Sequence, residues 1–133
     1  MAKPVILCVD DEKFILERLR RQLRDKFGKV YSYEVAESAE EAMEVIEELA
    51  EDNEHILVII SDWLMPDKKG DEFLMEVHER YPNIVKIMLT GQADDDAIER
   101  AKKHANIQGC LHKPWQEEEL FKAIEAGLET LKT

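Results

Sequence analysis

Asp10-Asp11, Asp62, Thr90 and Lys113-Pro114 are the residues of this chain whose types could do chemistry together, and each group stands at or just past the end of a short apolar run. Three carboxylates gathered in one place repel, which raises their pKa values and opposes folding unless a cation joins them. A hard divalent ion such as Mg²⁺ answers that need, since it takes oxygen ligands octahedrally at about 2.0–2.1 Å and keeps several waters. One carboxylate then remains available as a nucleophile toward phosphorus. A phosphoryl group spreads its charge over three oxygens, which the metal, the Lys113 ammonium, the Thr90 hydroxyl and nearby backbone N–H groups can share. Taken singly, Asp10-Asp11 reads as acid at a helix start, Thr90 as a strand residue and Lys113 as a surface lysine. Their convergence is what turns them into a site.

Convergence requires elements that bring together positions about a hundred residues apart. Val5 to Val9 is a continuous apolar run ended by acids, as in a strand buried on both faces. Residues 13–27 follow with Leu16, Leu19, Leu23 and Phe27 on one helical stripe, and Gly28 stops the helix. Val30 to Val35 predicts a second strand. Ser38 with Glu41 is a capping-box pattern opening a helix to about Ala50, with Ala42, Val45, Ile46 and Leu49 inward. Ile56 to Ile60 is a third run, and the Pro66 to Gly70 loop leads into a helix carrying Phe73, Leu74, Val77 and Tyr81, ended by Pro82. Ile84 to Leu89 predicts a fourth strand, about Asp94 to His104 a helix, Ile107 to Leu111 a fifth strand, and Gln116 to Leu131 a closing helix. Five strand-then-helix units with short connections call for an α/β fold, a five-stranded parallel sheet with helices on both faces. In such sheets ligands bind beyond the carboxyl ends of the strands, where the chemical residues stand.

Composition agrees with one soluble domain over residues 1–133. Eighteen basic against 30 acidic residues leave a formal charge of −12, while 44% of residues are hydrophobic, too many and too regularly spaced for a disordered acidic chain. That charge repels phosphate backbones and anionic lipid, so no nucleic acid and no membrane is expected as a partner. The apolar run at the N-terminus is too short for a signal peptide or a span, and Cys8 and Cys110 lie in apolar runs without CxxC spacing. Buried thiols in a reducing compartment, and hence the cytoplasm, are the expectation.

The motifs Val9-Asp10-Asp11, Ser61-Asp62-Trp63-Leu64-Met65-Pro66 with Gly70, Leu89-Thr90-Gly91 and Lys113-Pro114 resemble, over the whole chain, the receiver domain of two-component response regulators. The resemblance implies a flavodoxin-like, doubly wound (βα)5 three-layer sandwich with strand order 2-1-3-4-5. It implies that Asp62 accepts phosphate from a sensor histidine kinase or histidine phosphotransfer protein. Asp11, Asp62 and the Leu64 carbonyl would bind Mg²⁺ directly, with Asp10 acting largely through water, and Mn²⁺ can substitute. The Thr90 hydroxyl would move toward the phosphoryl group and Lys113 would bridge its oxygen, with a cis peptide before Pro114. The output would be a population shift at the fourth-helix and fifth-strand face, passed to a target protein or fused domain.

The chain also departs from the pattern. Receivers commonly carry tyrosine or phenylalanine three residues before the lysine, where this chain has Cys110, so backbone movement through Gly91 to Ala93 and Gly109 would have to relay the change. Leu64 and Gln92 occupy positions that adjust attack of water on the acyl phosphate. Neither is an acid or a base, so fast self-dephosphorylation is not expected. Lys113-Pro114-Trp115 is similar to an ending found in receivers fused to cyclic-dinucleotide phosphodiesterase domains or in hybrid kinases; packing of Trp115 at the start of the last helix is the plainer reading.

The resemblance also implies that a kinase docks on the first helix and the loop after the fifth strand, which makes Phe14, Ile15, Arg18 and Trp115 candidate contacts. Nine acids and no lysine or arginine between Glu37 and Glu54 read as a solvated helix face. His55, His78, His104 and His112 lack ligand spacing and are expected at the surface or at strand edges. A monomer is expected, with phosphorylation-dependent dimerisation as the family's alternative. Three competing functions are weaker. A phosphohydrolase of haloacid-dehalogenase type would need an acid where Leu64 stands, and a flavin site would be repelled by Asp10-Asp11-Glu12. A receiver that signals by contact alone, without phosphorylation, is the third.

Overall fold

The computed structural model describes residues 3–91 and 95–130. Gln92, Ala93, Asp94 and Leu131 lie outside the described residues, and with them the expectations placed on Gln92, on the backbone to Ala93 and on the two helix ends.

Strands β1 (Val5–Val9), β2 (Ser32–Ala36), β3 (Ile56–Asp62), β4 (Val85–Thr90) and β5 (Gly109–His112) alternate with helices α1 (Lys13–Phe27), α2 (Ala39–Glu51), α3 (Gly70–Arg80), α4 (Asp95–His104) and α5 (Glu117–Thr130). The strands form one sheet in the order β2-β1-β3-β4-β5, every pair parallel. This is the flavodoxin-like arrangement expected from the resemblance.

Side chains of a strand alternate between faces, and the alternation sorts the core into two layers. Ile6, Cys8, Val58, Ile60, Val85, Ile87 and Leu89 pack with Leu16, Leu19 and Leu23 of α1 and Leu120 and Ile124 of α5. Leu7, Val9, Ile59 and Met88 pack with Ala42 and Ile46 of α2, Phe73, Leu74 and Val77 of α3 and Ala101 of α4. Continuous apolar runs in the central strands follow from burial on both sides.

Two strands sit elsewhere than their apolar residues suggested. The second begins at Ser32 rather than Val30, because Gly28 at φ +60° reverses the chain into a 3-10 turn over Gly28–Val30, and the Tyr33 hydroxyl donates to the Gly28 carbonyl at 2.8 Å. The fifth begins at Gly109 rather than Ile107: Asn106 adopts φ +53° after α4, and Ile107 enters the core before regular pairing starts. Phe27, Val45 and Tyr81 pack partly buried against the core, and Ile15 joins the buried face of α1. The Ser38 hydroxyl accepts from Glu41 N–H at 3.1 Å as expected of the cap, but the Glu41 carboxylate accepts from Glu37 N–H rather than closing the box on Ser38.

Candidate functional site

The sheet register carries Asp10, Asp62, Thr90 and Lys113 to one rim. Asp10 N–H donates to the Ala36 carbonyl, Trp63 N–H to the Leu89 carbonyl and Lys113 N–H to the Thr90 carbonyl, so each strand end is tied to its neighbour at the point where the chemistry begins. Asp10, Asp62 and Thr90 are buried and Asp11 is exposed. One oxygen from each of Asp10, Asp11 and Asp62 lies within 4.8 Å of the others. The Lys113 Nζ is 2.7 Å from Asp10 Oδ2 and 3.0 Å from Asp62 Oδ1, and Glu12 N–H donates to the other Asp10 oxygen at 2.9 Å.

These groups open into a cleft of about 420 Å³ whose wall includes Asp11, Asp62, Leu64, Gly91 and Lys113. Burial pushes the Asp62 carboxyl above its ordinary pKa, with the Asp10 and Asp11 charges adding to the effect and Lys113 opposing it. Burial works against the Lys113 charge, yet its hydrogen bonds to Asp10 and Asp62 prevail and hold the ammonium above its usual range. The site therefore pairs a fixed cation with a carboxylate that is costly to keep ionised. An all-oxygen, net anionic donor set of this kind fits a hard divalent cation.

The loop after Asp62 is secured on two sides. Gly70 N–H donates to the Trp63 carbonyl, and a Cβ on Gly70 would fall 2.1 Å from the Asp62 carbonyl oxygen, so this position accepts no side chain. Asp67 accepts from the N–H groups of Ala39 and Glu40 at the start of α2; burial nudges its carboxyl upward, but these backbone donors prevail and lower its pKa. The Lys113-Pro114 peptide is cis.

A family model described as "Response regulator receiver domain" matches residues 6–125. The chain belongs to that family. The receiver is 33% identical over 124 residues to the hydrogenase transcriptional regulatory protein HoxA of Cupriavidus necator, covering 93% of this chain and 24% of HoxA. It thus spans about a quarter of that relative. Among solved structures, the signal receiver domain of an HD domain-containing protein from Pseudomonas fluorescens Pf-5 superposes with a TM-score of 0.85 at 30% identity, covering 98% of both chains. A CheY-like receiver from Methanospirillum hungatei JF-1 does so with a TM-score of 0.84 at 28% identity, again covering 98% of both.

Not every residue singled out in the sequence reaches the receiver's surface. Phe14 is 63% exposed and Arg18 is exposed, but Ile15 is 6% exposed and packs in the core, so it offers no surface to a partner. Trp115 is 7% exposed; its indole donates to Gln22 Oε1 at 2.8 Å, and the Arg18 guanidinium lies 5.9 Å from its ring centre. It fastens the start of α5 to α1, as the plainer reading of that residue supposed. Cys110 is half-buried opposite Met88 in the β4–β5 register. His78 is half-buried rather than at the surface, and burial and the nearby Lys86 charge both lower its pKa.

Sequence reasoning missed two buried charged residues. Lys86, 0% exposed, stands in the middle of the fourth apolar run, where its neighbours hid it. Asp71, directly after Gly70, was assigned no role from the sequence. It is 1% exposed, and an acid at the first buried turn of a helix was the available signal.

Proposed function

We propose that Asp62 of this receiver is the phosphoacceptor and takes its phosphoryl group from a sensor histidine kinase or a histidine phosphotransfer protein in a Mg²⁺-dependent step. The supporting observation is the single Lys113 ammonium within 3.0 Å of Asp62 and 2.7 Å of Asp10, with Asp11 completing the acidic set. In the transfer an Asp62 oxygen attacks phosphorus, the new O–P bond forming as the P–N bond to the donor imidazole breaks. The released imidazole keeps the electron pair and takes up a proton. Asp10, Asp11 and Asp62, together with the Leu64 carbonyl, would hold Mg²⁺, which when bound would supply charge neutralisation for the phosphoryl oxygens. Lys113 neutralises a second oxygen, and the Thr90 hydroxyl closes on a third. Leu64 offers no base to activate water, so the acyl phosphate persists beyond seconds.

The same reading places the receiver in the cytoplasm, where such kinases present their phosphohistidine; no helix among the described residues is long and apolar enough to cross a membrane. Its output is a fused domain or a separate target. The Lys113-Pro114-Trp115 ending makes a cyclic-dinucleotide phosphodiesterase domain or a hybrid kinase a candidate for the fused part.

Intact mass after incubation with acetyl phosphate, with and without Mg²⁺, on the parent chain and on Asp62→Asn tests the proposal. One added phosphoryl group that needs both Mg²⁺ and Asp62 is expected. No addition, with Mg²⁺ binding shown separately, would leave a module that signals by protein contact alone.

A further inference from the structure

Trp63, the first residue after the acceptor strand, is held from three directions. Its N–H donates to the Leu89 carbonyl at 2.8 Å, its carbonyl accepts from Gly70 N–H at 2.6 Å, and its indole Nε1 donates to Asp71 Oδ1 at 3.1 Å. The Lys69 ammonium lies 5.3 Å from the ring centre. Movement of the Asp62 backbone is therefore felt by the indole, and the indole is attached to Asp71.

Asp71 is the second residue of α3 and is almost wholly buried. A buried carboxylate is unfavourable unless hydrogen-bond donors and positive charge compensate it. The α3 N-terminus and the Trp63 indole supply part of that compensation. The rest comes from α4: Arg100 Nη2 lies 3.5 Å from Asp71 Oδ2, and the Arg100 side chain is half-exposed. A contact at 3.5 Å is at the outer limit of direct hydrogen bonding, so a shift of a few tenths of an ångström makes or releases it. Asp71 thus touches the acceptor loop through one oxygen and α4 through the other.

Resting on the assignment of Asp62 as phosphoacceptor, we infer that Asp71 is a positioning residue which couples the acceptor loop to α4, its two oxygens linking the Trp63 indole to the Arg100 guanidinium. Where receivers commonly carry an aromatic ring, the half-buried Cys110 has a small thiol that spans little distance. A polar link between α3 and α4 meets the same need by different chemistry. Phosphorylation fills the cleft that Trp63 borders, displaces the indole and alters the distance from Asp71 to Arg100. One half-exposed ion pair shifts a two-state population several-fold, not thousands-fold.

NMR of the isotopically labelled chain with Mg²⁺, with and without acetyl phosphate, reads both ends of this link: the Trp63 indole N–H resonance and the α4 backbone amides. In the parent chain both respond. In Arg100→Gln and in Asp71→Asn, where an amide oxygen still accepts from the indole, phosphoryl uptake by mass and the Trp63 response persist, while the α4 response falls several-fold. In Asp71→Ala the Trp63 resonance is displaced before phosphorylation. Arg100 is half-exposed, so its variant keeps the test alive if an Asp71 variant fails to fold. An α4 response undiminished in Arg100→Gln or Asp71→Asn, or absent from the phosphorylated parent, overturns the coupling alone. A parent chain that takes up no phosphoryl group overturns the acceptor assignment and the coupling together.

Discussion

The Lys113 ammonium lies 3.0 Å from Asp62 Oδ1, so the one cation among the described residues of the cleft wall is already bound to the carboxylate assigned to react. It also bridges to Asp10, so the two buried carboxylates of the acidic set share one lysine. Lys113→Ala is expected to lower the stability of the metal-free chain by about 2–4 kcal/mol, because it strands buried charge. Urea unfolding with and without Mg²⁺ checks this. Added Mg²⁺ should recover much of the loss by mass action, and a variant as stable as the parent without metal would refute the dependence.

Removing the acceptor charge should do the opposite. Burial and the Asp10 and Asp11 charges hold the Asp62 carboxyl above its ordinary range, so ionised Asp62 is a net burden on the fold. Asp62→Asn is expected to unfold at higher temperature than the parent in metal-free buffer near neutral pH, and to show a smaller Mg²⁺-induced gain. A lower melting temperature without metal would contradict it.

Lys86 gives a pH dependence of known sign. Burial alone lowers its pKa from 10.5 to about 8, and its ammonium donates to the Ile84 carbonyl at 2.6 Å. The unfolded chain therefore binds more protons than the native one between those values, and stability rises as pH climbs through that window. Below about pH 8 the full penalty stands. Lys86→Met should stabilise the domain at pH 7 by about 2–3 kcal/mol and flatten the alkaline rise, as read by chemical denaturation across pH.

Gly70 lies against the backbone of the acceptor strand. A methyl group there would meet the Asp62 carbonyl at 2.1 Å, an obstacle that cannot rotate away. Gly70→Ala should cost about 2–3 kcal/mol, the upper range of overpacking, and slow phosphoryl uptake from acetyl phosphate. Gly91→Ala has nothing within 4 Å of the added carbon and serves as the control for stability.

Phe14 is a large apolar side chain left in water on α1, next to the exposed Arg18 in the following turn. Phe14→Ala should weaken transfer from a cognate kinase about tenfold, the scale of a contact worth 1–2 kcal/mol, and leave uptake from acetyl phosphate unchanged. Unaltered kinase transfer would remove this face from the docking surface.

Apolar periodicity and the residues at the run ends were enough to read a parallel sheet with Asp10, Asp11, Asp62, Thr90 and Lys113 on one rim. Strands buried on both faces must be apolar throughout, and helices must show a stripe, so the one-dimensional pattern records the layers directly. The same pattern says little about where pairing starts. Val30 and Ile107 are apolar in sequence, yet the left-handed backbone at Gly28 and Asn106 puts both outside the ladder. Burial of single polar groups is equally hidden, because it depends on what crosses above them. Lys86 lies under the helices of its sheet face, Asp71 lies between Trp63 and Arg100, and Ile15 and Trp115 are drawn into the α1 and α5 layer. Residue types and their spacing determined which groups could react; the packing of helices over the sheet decided which charges are buried, what partners them and which side chains remain for other molecules to touch.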